Sequence, residues 1–285
     1  MCRHLAYLGP PVSLARLVLT PAHGLYEQSW APRRQTHGVV NADGFGLGWY
    51  PARPEAGEVH AVDTAGEVHA ADAAGAEPAR YRRAIPIWTD QNLPELAGAI
   101  RSHAVLAAVR SATAGTGQEE TAAAPFRDGR FLFSHNGAVP DWTQLPADLA
   151  SAGGSGLDPL DPADLLSLEA RSDTALIWLL IYRELRRSIA PDRALAAVIR
   201  AVAEVRPTAR LNLLLTDGES IFATRYGDTL WYRPGPGSIL VASEPDDEDP
   251  AAWREIPEDT LLLATAAGVV HTTPLRASYA AATEK

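Results

Sequence analysis

Met1-Cys2-Arg3-His4-Leu5-Ala6-Tyr7-Leu8-Gly9 opens the chain. Arg3 to Gly9 reads as a β-strand, and the single cysteine of 285 residues stands immediately before it. Methionine removal generally tolerates a small second residue, so the expectation is a mature chain that starts on Cys2 with a free α-amine. A thiol and an amine on one Cα form a minimal nucleophile–base pair. The amine titrates at about 7.7–8.0, close to the pH where a general base works best. The thiol, at about 8.5, needs only modest help to become a thiolate. The ordinary alternative is a small buried hydrophobe at a strand start. The rest of the chain has to decide between the two.

Composition narrows the field first. With 46% hydrophobic and 21% charged residues, the chain is expected to fold rather than stay disordered. A net charge of -10 argues against a sequence-blind nucleic-acid binder, which needs a basic face. One cysteine excludes a disulfide scaffold. The most apolar run, Ala175 to Tyr182, is far short of the roughly 20 residues that a bilayer demands. Pro10 and Pro11 interrupt the N-terminus too early for a secretory leader. The expectation is a soluble cytoplasmic protein with no nucleic-acid or membrane partner; its oligomeric state is not legible.

Working outward from the first strand, Leu14 to Leu19 reads as a short helix or an apolar connection. Asp43 to Tyr50 alternates glycine with large apolar residues, which suits a strand approached closely by another backbone or a ligand. Pro51 to Arg80 reads as a variable surface excursion, with Glu58–Val62 and Glu67–Ala70 as hairpin arms. Val105 to Val109 and Arg130 to Ser134 are expected as buried strands, and Pro146 to Ala163 as a loop. Two helices are expected, from about Asp173 to Ser188 and from about Pro191 to Val205. The last third reads as strands at 211–216, 220–225, 229–232, 238–242, 260–264 and 268–272, with Asp217-Gly218 as a hairpin turn. Antiparallel strands around two consecutive helices give an α+β chain, expected as one domain over 2–285.

Three stretches carry polar chemistry directly after apolar segments. Arg110-Ser111-Ala112-Thr113-Ala114-Gly115 begins with an arginine able to hold a carboxylate through two parallel hydrogen bonds, or else a surface salt bridge. Ser134-His135-Asn136-Gly137-Ala138-Val139 offers an Asn side-chain N–H and a Gly backbone N–H for an oxyanion, or else a plain Asn-Gly turn. Arg171-Ser172-Asp173-Thr174 opens a helix, with Asp173 either receiving an ammonium or serving as an N-cap. Taken together, the groups suit one γ-glutamyl substrate. Arg110 takes its α-carboxylate, Asp173 its α-ammonium, Asn136 and Gly137 the developing oxyanion, and Cys2 attacks. The histidines show no metal-ligand spacing; His60 and His69 beside Glu58 and Glu67 read as solvated hairpin residues.

The order Cys2, Arg110-x-Ala112-Thr113-x-Gly115, His135-Asn136-Gly137, Ser172-Asp173-Thr174 resembles the class II glutamine amidotransferases, a group of N-terminal-nucleophile hydrolases. The resemblance implies a four-layer αββα sandwich with two antiparallel sheets, and a γ-glutamyl-thioester intermediate formed without metal or cofactor. It implies Cys2, Asn136 and Gly137 as catalytic residues, with Arg110, Thr113, His135 and Asp173 binding the substrate. Met1–His4, Ala31–Gln35, Asn41–Gly46, Val109–Thr113, Arg210–Asn212 and Ala242–Pro245 are similar, more narrowly, to the hydrolases of γ-glutamyl-hercynylcysteine S-oxide in ergothioneine biosynthesis. Ser111 and Ala114 replace an aromatic residue and a histidine common in ammonia-producing members, which speaks against free glutamine as substrate. The competing expectations are a glutaminase subunit feeding ammonia to a separate synthase, and a catalytically silent binding protein of the same fold. Tyr26, Trp30, Trp49, Trp88 and Trp142 offer a cation–π face for a trimethylammonium group, or else ordinary core packing.

Overall fold

The first strand runs from Arg3 to Ser13 (β1), longer than its apolar alternation suggested. A computed structural model describes the chain over residues 2–34, 37–38, 40–51, 60–62, 68–70, 77–113, 115–153, 156–247, 249 and 251–275. The next strands are β2 (Phe45–Trp49), β3 (His60–Val62), β4 (Val68–Ala70), β5 (Ala79–Arg83), β6 (Arg101–Val109), β7 (Phe126–Asp128) and β8 (Phe131–Ala138). After the central helices come β9 (Arg210–Thr216), β10 (Ser220–Arg225), β11 (Trp231–Gly235), β12 (Ser238–Ala242), β13 (Arg254–Glu255), β14 (Thr260–Thr265) and β15 (Gly268–Pro274). Seven of them form one sheet in the order β13-β11-β12-β1-β6-β2-β5. Six form a second, β15-β14-β10-β9-β8-β7, and β3 pairs with β4. The ladders are antiparallel, with β1 held centrally between β12 and β6.

Strand alternation separates the cores. Ala6 and Leu8 of β1 meet Leu132 of β8 and Leu214 of β9 in the layer between the sheets. Leu5 and Tyr7, one residue out of phase, face outward onto the helices α1 (Leu14–Val18), α2 (Leu25–Gln28) and α3 (Leu93–Ala99). On the far side, Phe133 of β8 and Leu213 of β9 face α4 (Leu145–Ala152) and the long pair α6 (Asp173–Arg186) and α7 (Pro191–Val205). A further short helix, α5, spans Pro162–Leu166. The result is the expected αββα sandwich.

Three local expectations need correction. Pro146 to Ala163 is not a loop throughout, because α4 and α5 lie at its two ends. Pro146 sits in the first turn of α4, Leu145 and Leu149 bury one face, and Gly153 at φ 63° stops the helix. Asn136-Gly137 is no turn but the interior of β8. The strand expected at 229–232 is shifted to Trp231–Gly235. The hairpin arms appear as β3 and β4, while Glu58 and Glu67 lie outside the described residues. Close approach at the Gly-rich strand holds: a Cβ on Gly46 would come within 2.2 Å of the Ala124 carbonyl oxygen. Among the described residues, no helix is long and apolar enough to cross a membrane.

Candidate active site

The inter-sheet layer turns polar toward the start of β1. His4 follows Ala6 on the same face, and its Nδ1 lies 3.1 Å from Ser134 Oγ of β8. His4 and Ser134 are both buried, and among the described residues His4 Nε2 has no hydrogen-bond partner. Burial in this gap, with His135 and the Arg3 guanidinium nearby, holds the His4 imidazole well below its usual pKa and therefore neutral. One step further along both strands, alternation carries Cys2 and Asn136 to the next rung.

Asn136 is fully buried, yet among the described residues neither its Nδ2 nor its Oδ1 finds a hydrogen-bond partner. An unpaired buried amide costs about 1–3 kcal/mol, so this one is a group held ready for something else to bind. Gly137 is required by crowding: a Cβ there would stand 1.9 Å from the Arg210 carbonyl oxygen of the adjacent strand. His135 points the other way, into the helical layer. Its Nε2–H donates to the Arg210 carbonyl oxygen at 2.8 Å, and its Nδ1 accepts from Thr174 Oγ1 at 3.3 Å. Both ring nitrogens are thus engaged by the protein, and His135 bridges β8, β9 and α6.

Arg110 follows the last residue of β6 and is buried among neutral acceptors. Its Nη2 donates to Thr116 Oγ1 at 3.0 Å and to the Gly117 carbonyl at 2.7 Å, and its Nη1 to the Asp43 carbonyl at 3.4 Å. Asp173 begins α6 behind the cap of Ser172, whose Oγ accepts from the Ala175 N–H. The Asp173 carboxylate is buried and accepts from the N–H of Val139 (3.1 Å), Thr113 Oγ1 (3.3 Å) and its neighbour Thr174 N–H (2.9 Å). Among the described residues neither Arg110 nor Asp173 makes an ion pair. A buried cation and a buried anion, each lacking a counter-charge, are costly to hold unless a ligand with both charges completes them.

Both charges reach the thiol. Burial pushes Cys2 up, the Arg110 guanidinium pulls it down, and the Asp173 carboxylate pushes it up again. The Cys2 Sγ lies 4.0 Å from the Ser111 carbonyl oxygen. Thus the structure brings Cys2, Arg110, Thr113, Asn136, Gly137 and Asp173 to one end of the sandwich and turns only the His135 side chain away. Sequence reasoning assigned no role to Asp43, whose Oδ2 accepts from the Ala112 N–H at 2.7 Å and whose N–H donates to the Arg110 carbonyl. It also overlooked a clamp behind the nucleophile. His4 N–H donates to Ser243 Oγ at 3.0 Å, and Ser243 N–H returns a bond to the His4 carbonyl at 3.0 Å. Next to it, Glu244 Oε1 lies 3.5 Å from Arg3 Nε, and its Oε2 accepts from the N–H groups of Arg33 (2.9 Å) and Arg34 (2.8 Å). Both stretches stood in the sequence as motif segments, but nothing local marks a contact across so many residues.

The five aromatic residues do not share a face. Tyr26, Trp30 and Trp88 form an edge-to-face row outside the first sheet, with Trp49 packed in the same layer and Trp142 in the core of the opposite one. Among the described residues, no group of three or more His, Cys, Asp or Glu side chains is placed to hold a metal ion.

A sulfhydryl at the head of the central strand, a buried carboxamide, and a buried arginine and aspartate without counter-charges suit an acyl-transfer enzyme built on an αββα sandwich. The family profile described as glutamine amidotransferases class-II matches residues 25–236. The chain is 42% identical over 275 residues to a gamma-glutamyl-hercynylcysteine sulfoxide hydrolase of Mycolicibacterium smegmatis, covering 96% of this chain and 100% of that one. It is 38% identical over 272 residues to the protein of the same name from Mycobacterium tuberculosis, covering 95% and 96%. Among solved structures, a glutamine aminotransferase class-II domain protein from Silicibacter pomeroyi superposes with a TM-score of 0.61 at 24% identity, covering 96% of this chain and 99% of that one. The allosteric regulatory enzyme of purine biosynthesis gives 0.60 at 16% identity, covering 96% and 49%; these two speak to the fold alone. The chain belongs to the class II glutamine amidotransferases.

Proposed function

We propose that the protein hydrolyses the γ-glutamyl amide of γ-glutamyl-hercynylcysteine S-oxide, releasing glutamate and hercynylcysteine S-oxide. The observation that carries the reaction is the orphaned Asn136 carboxamide facing the nucleophile's strand, flanked by the unpaired charges of Arg110 and Asp173. The conjugate as substrate is supported by the full-length similarity to the two mycobacterial hydrolases.

In this reading Met1 is removed and the new α-amine of Cys2 takes the thiol proton as the sulfur attacks the γ-carbonyl. The α-carboxylate of the glutamyl head lies on Arg110, and its α-ammonium on Asp173 with Thr113. Asn136 Nδ2 and the Gly137 N–H stabilise the tetrahedral oxyanion. Collapse breaks the C–N bond, the ammonium of Cys2 protonates the departing amine, and a γ-glutamyl thioester remains. Water, deprotonated by the same amine, adds to the thioester; collapse releases glutamate and restores the thiol. Comparing glutamate release from the sulfoxide conjugate with release from glutamine tests the reading, with Cys2→Ala as control. The expected result is turnover of the conjugate that Cys2→Ala abolishes while the folded state persists. Preferential turnover of glutamine would make the protein an ammonia source instead, and turnover surviving in Cys2→Ala would refute the mechanism.

A further inference from the structure

The site must also receive whatever is attached to the scissile nitrogen, and strand order indicates where. Arg110 reaches Cys2 from β6, and Asp173 from α6 beside β8. The other neighbour of β1 is β12 and the other neighbour of β8 is β9. Strand order therefore puts the ends of β12 and β9, and with them the turn at 226–229 that follows β10, on the opposite flank of Cys2. Thr229 Oγ1 ties this turn to the end of β12 by donating to the Ser243 carbonyl at 2.8 Å.

Asp228 stands in that turn with its side chain only 3% exposed. Asn212 fixes the turn with all its polar capacity. Its Oδ1 accepts from the N–H groups of Tyr226 (2.9 Å) and Asp228 (3.2 Å), and its Nδ2 donates to the carbonyls of Asp228 (2.9 Å) and Thr229 (3.1 Å). The carboxylate is held by the backbone around it, not by donors of its own. Oδ1 lies 3.8 Å from His37 Nδ1 and Oδ2 lies 3.3 Å from Arg210 Nε, but among the described residues Oδ2 accepts no hydrogen bond. Arg3, the other nearby cation, is matched by Glu244. Burial raises the Asp228 pKa, although Arg210 and Arg3 oppose it, so further cationic contact would be welcome there.

A buried carboxylate oxygen that Arg210 and His37 approach without making a hydrogen bond keeps negative charge available to one more cation. A quaternary ammonium offers Coulombic attraction and methyl contact and asks for no hydrogen-bond geometry.

We propose that Asp228 is a specificity-determining residue that receives the quaternary-ammonium end of the leaving group, on the flank of Cys2 opposite the glutamyl head pocket. This deepens the reading above and rests on it. The test uses the Cys2→Ala protein, so that substrate is bound without turnover. Calorimetry gives its affinity for the sulfoxide conjugate and for an analogue lacking the trimethylammonium group, with and without Asp228→Asn. Asn keeps the shape and the backbone bonds to Asn212. The expected result is a clear preference for the conjugate, falling about tenfold in Asp228→Asn. Equal affinity of the Cys2→Ala protein for the two ligands, or a preference that survives the substitution, would overturn the proposal. The first measurement needs no altered Asp228 and holds even if that variant does not fold. Turnover of the conjugate by the unaltered enzyme, measured alongside, judges the parent reading separately: hydrolysis without cation preference sinks only the Asp228 proposal.

Discussion

Asn136→Leu is expected to make the protein more stable and nearly inactive. The side chain is fully buried and neither amide atom is hydrogen-bonded, so the folded state carries an unpaired amide worth about 1–3 kcal/mol. Leucine has a similar outline and no such penalty. At about 2–4 °C per kcal/mol for chains somewhat smaller than this one, the melting temperature should rise by a few degrees. Catalysis should move the other way. Losing one oxyanion donor typically costs about 10²–10³ in kcat, or about 2.7–4 kcal/mol of barrier, while KM changes little because the ground-state head pocket is intact. Thermal unfolding and steady-state glutamate release measure both arms. A variant that loses stability together with activity would show that the amide is part of the scaffold. One that keeps its kcat would show that the oxyanion forms elsewhere.

Arg110→Lys keeps a positive charge but loses the planar fork, whose Nη2 already serves Thr116 and Gly117. KM should rise about 10- to 100-fold with kcat falling less, since a hydrogen bond to a charged group is worth about 1.5–3 kcal/mol; unchanged KM would place the α-carboxylate elsewhere. His4 stays neutral in the fold, so below its unfolded pKa of about 6.5 the unfolded chain binds a proton that the folded chain refuses. Stability present above that pH is lost as pH falls toward the depressed folded pKa. Between about pH 7.5 and about pH 5.5, denaturant unfolding should show the unaltered protein losing about 1.4 kcal/mol more than His4→Gln does. Equal slopes would mean that the imidazole titrates normally.

Much of this was readable because its signals were local. Pro191 and the apolar spacing gave α7 its limits, and the alternation in Ser220–Arg225 gave β10. The cysteine, the arginine and the aspartate each stand at an element's end, and only their combination along the chain pointed to one substrate. What escaped depended on contacts between distant residues. Asn136-Gly137 reads locally as a turn, and only pairing with Asn212-Leu211 keeps it extended. His135 sits beside the oxyanion residue in sequence but on the other face of the strand, and alternation within β8 decides that. Leu145 and Leu149 were hidden in a Gly- and Pro-rich stretch whose composition suggests a loop. Asp228 offered no sequence signal because its setting is made by Asn212, Arg210 and His37 together.

A free chain end ordinarily frays, and this enzyme is proposed to put its reactive atom on one. The Ser243–Glu244 clamp on His4 and Arg3 means that the first residues to leave the ribosome are held by residues 239 and 241 positions later. The nucleophile therefore cannot settle against the second sheet until β12 has been made and docked. A truncated or half-synthesised polypeptide has the thiol but no seat for it, so competence waits until Glu244 of the 285 residues has been made.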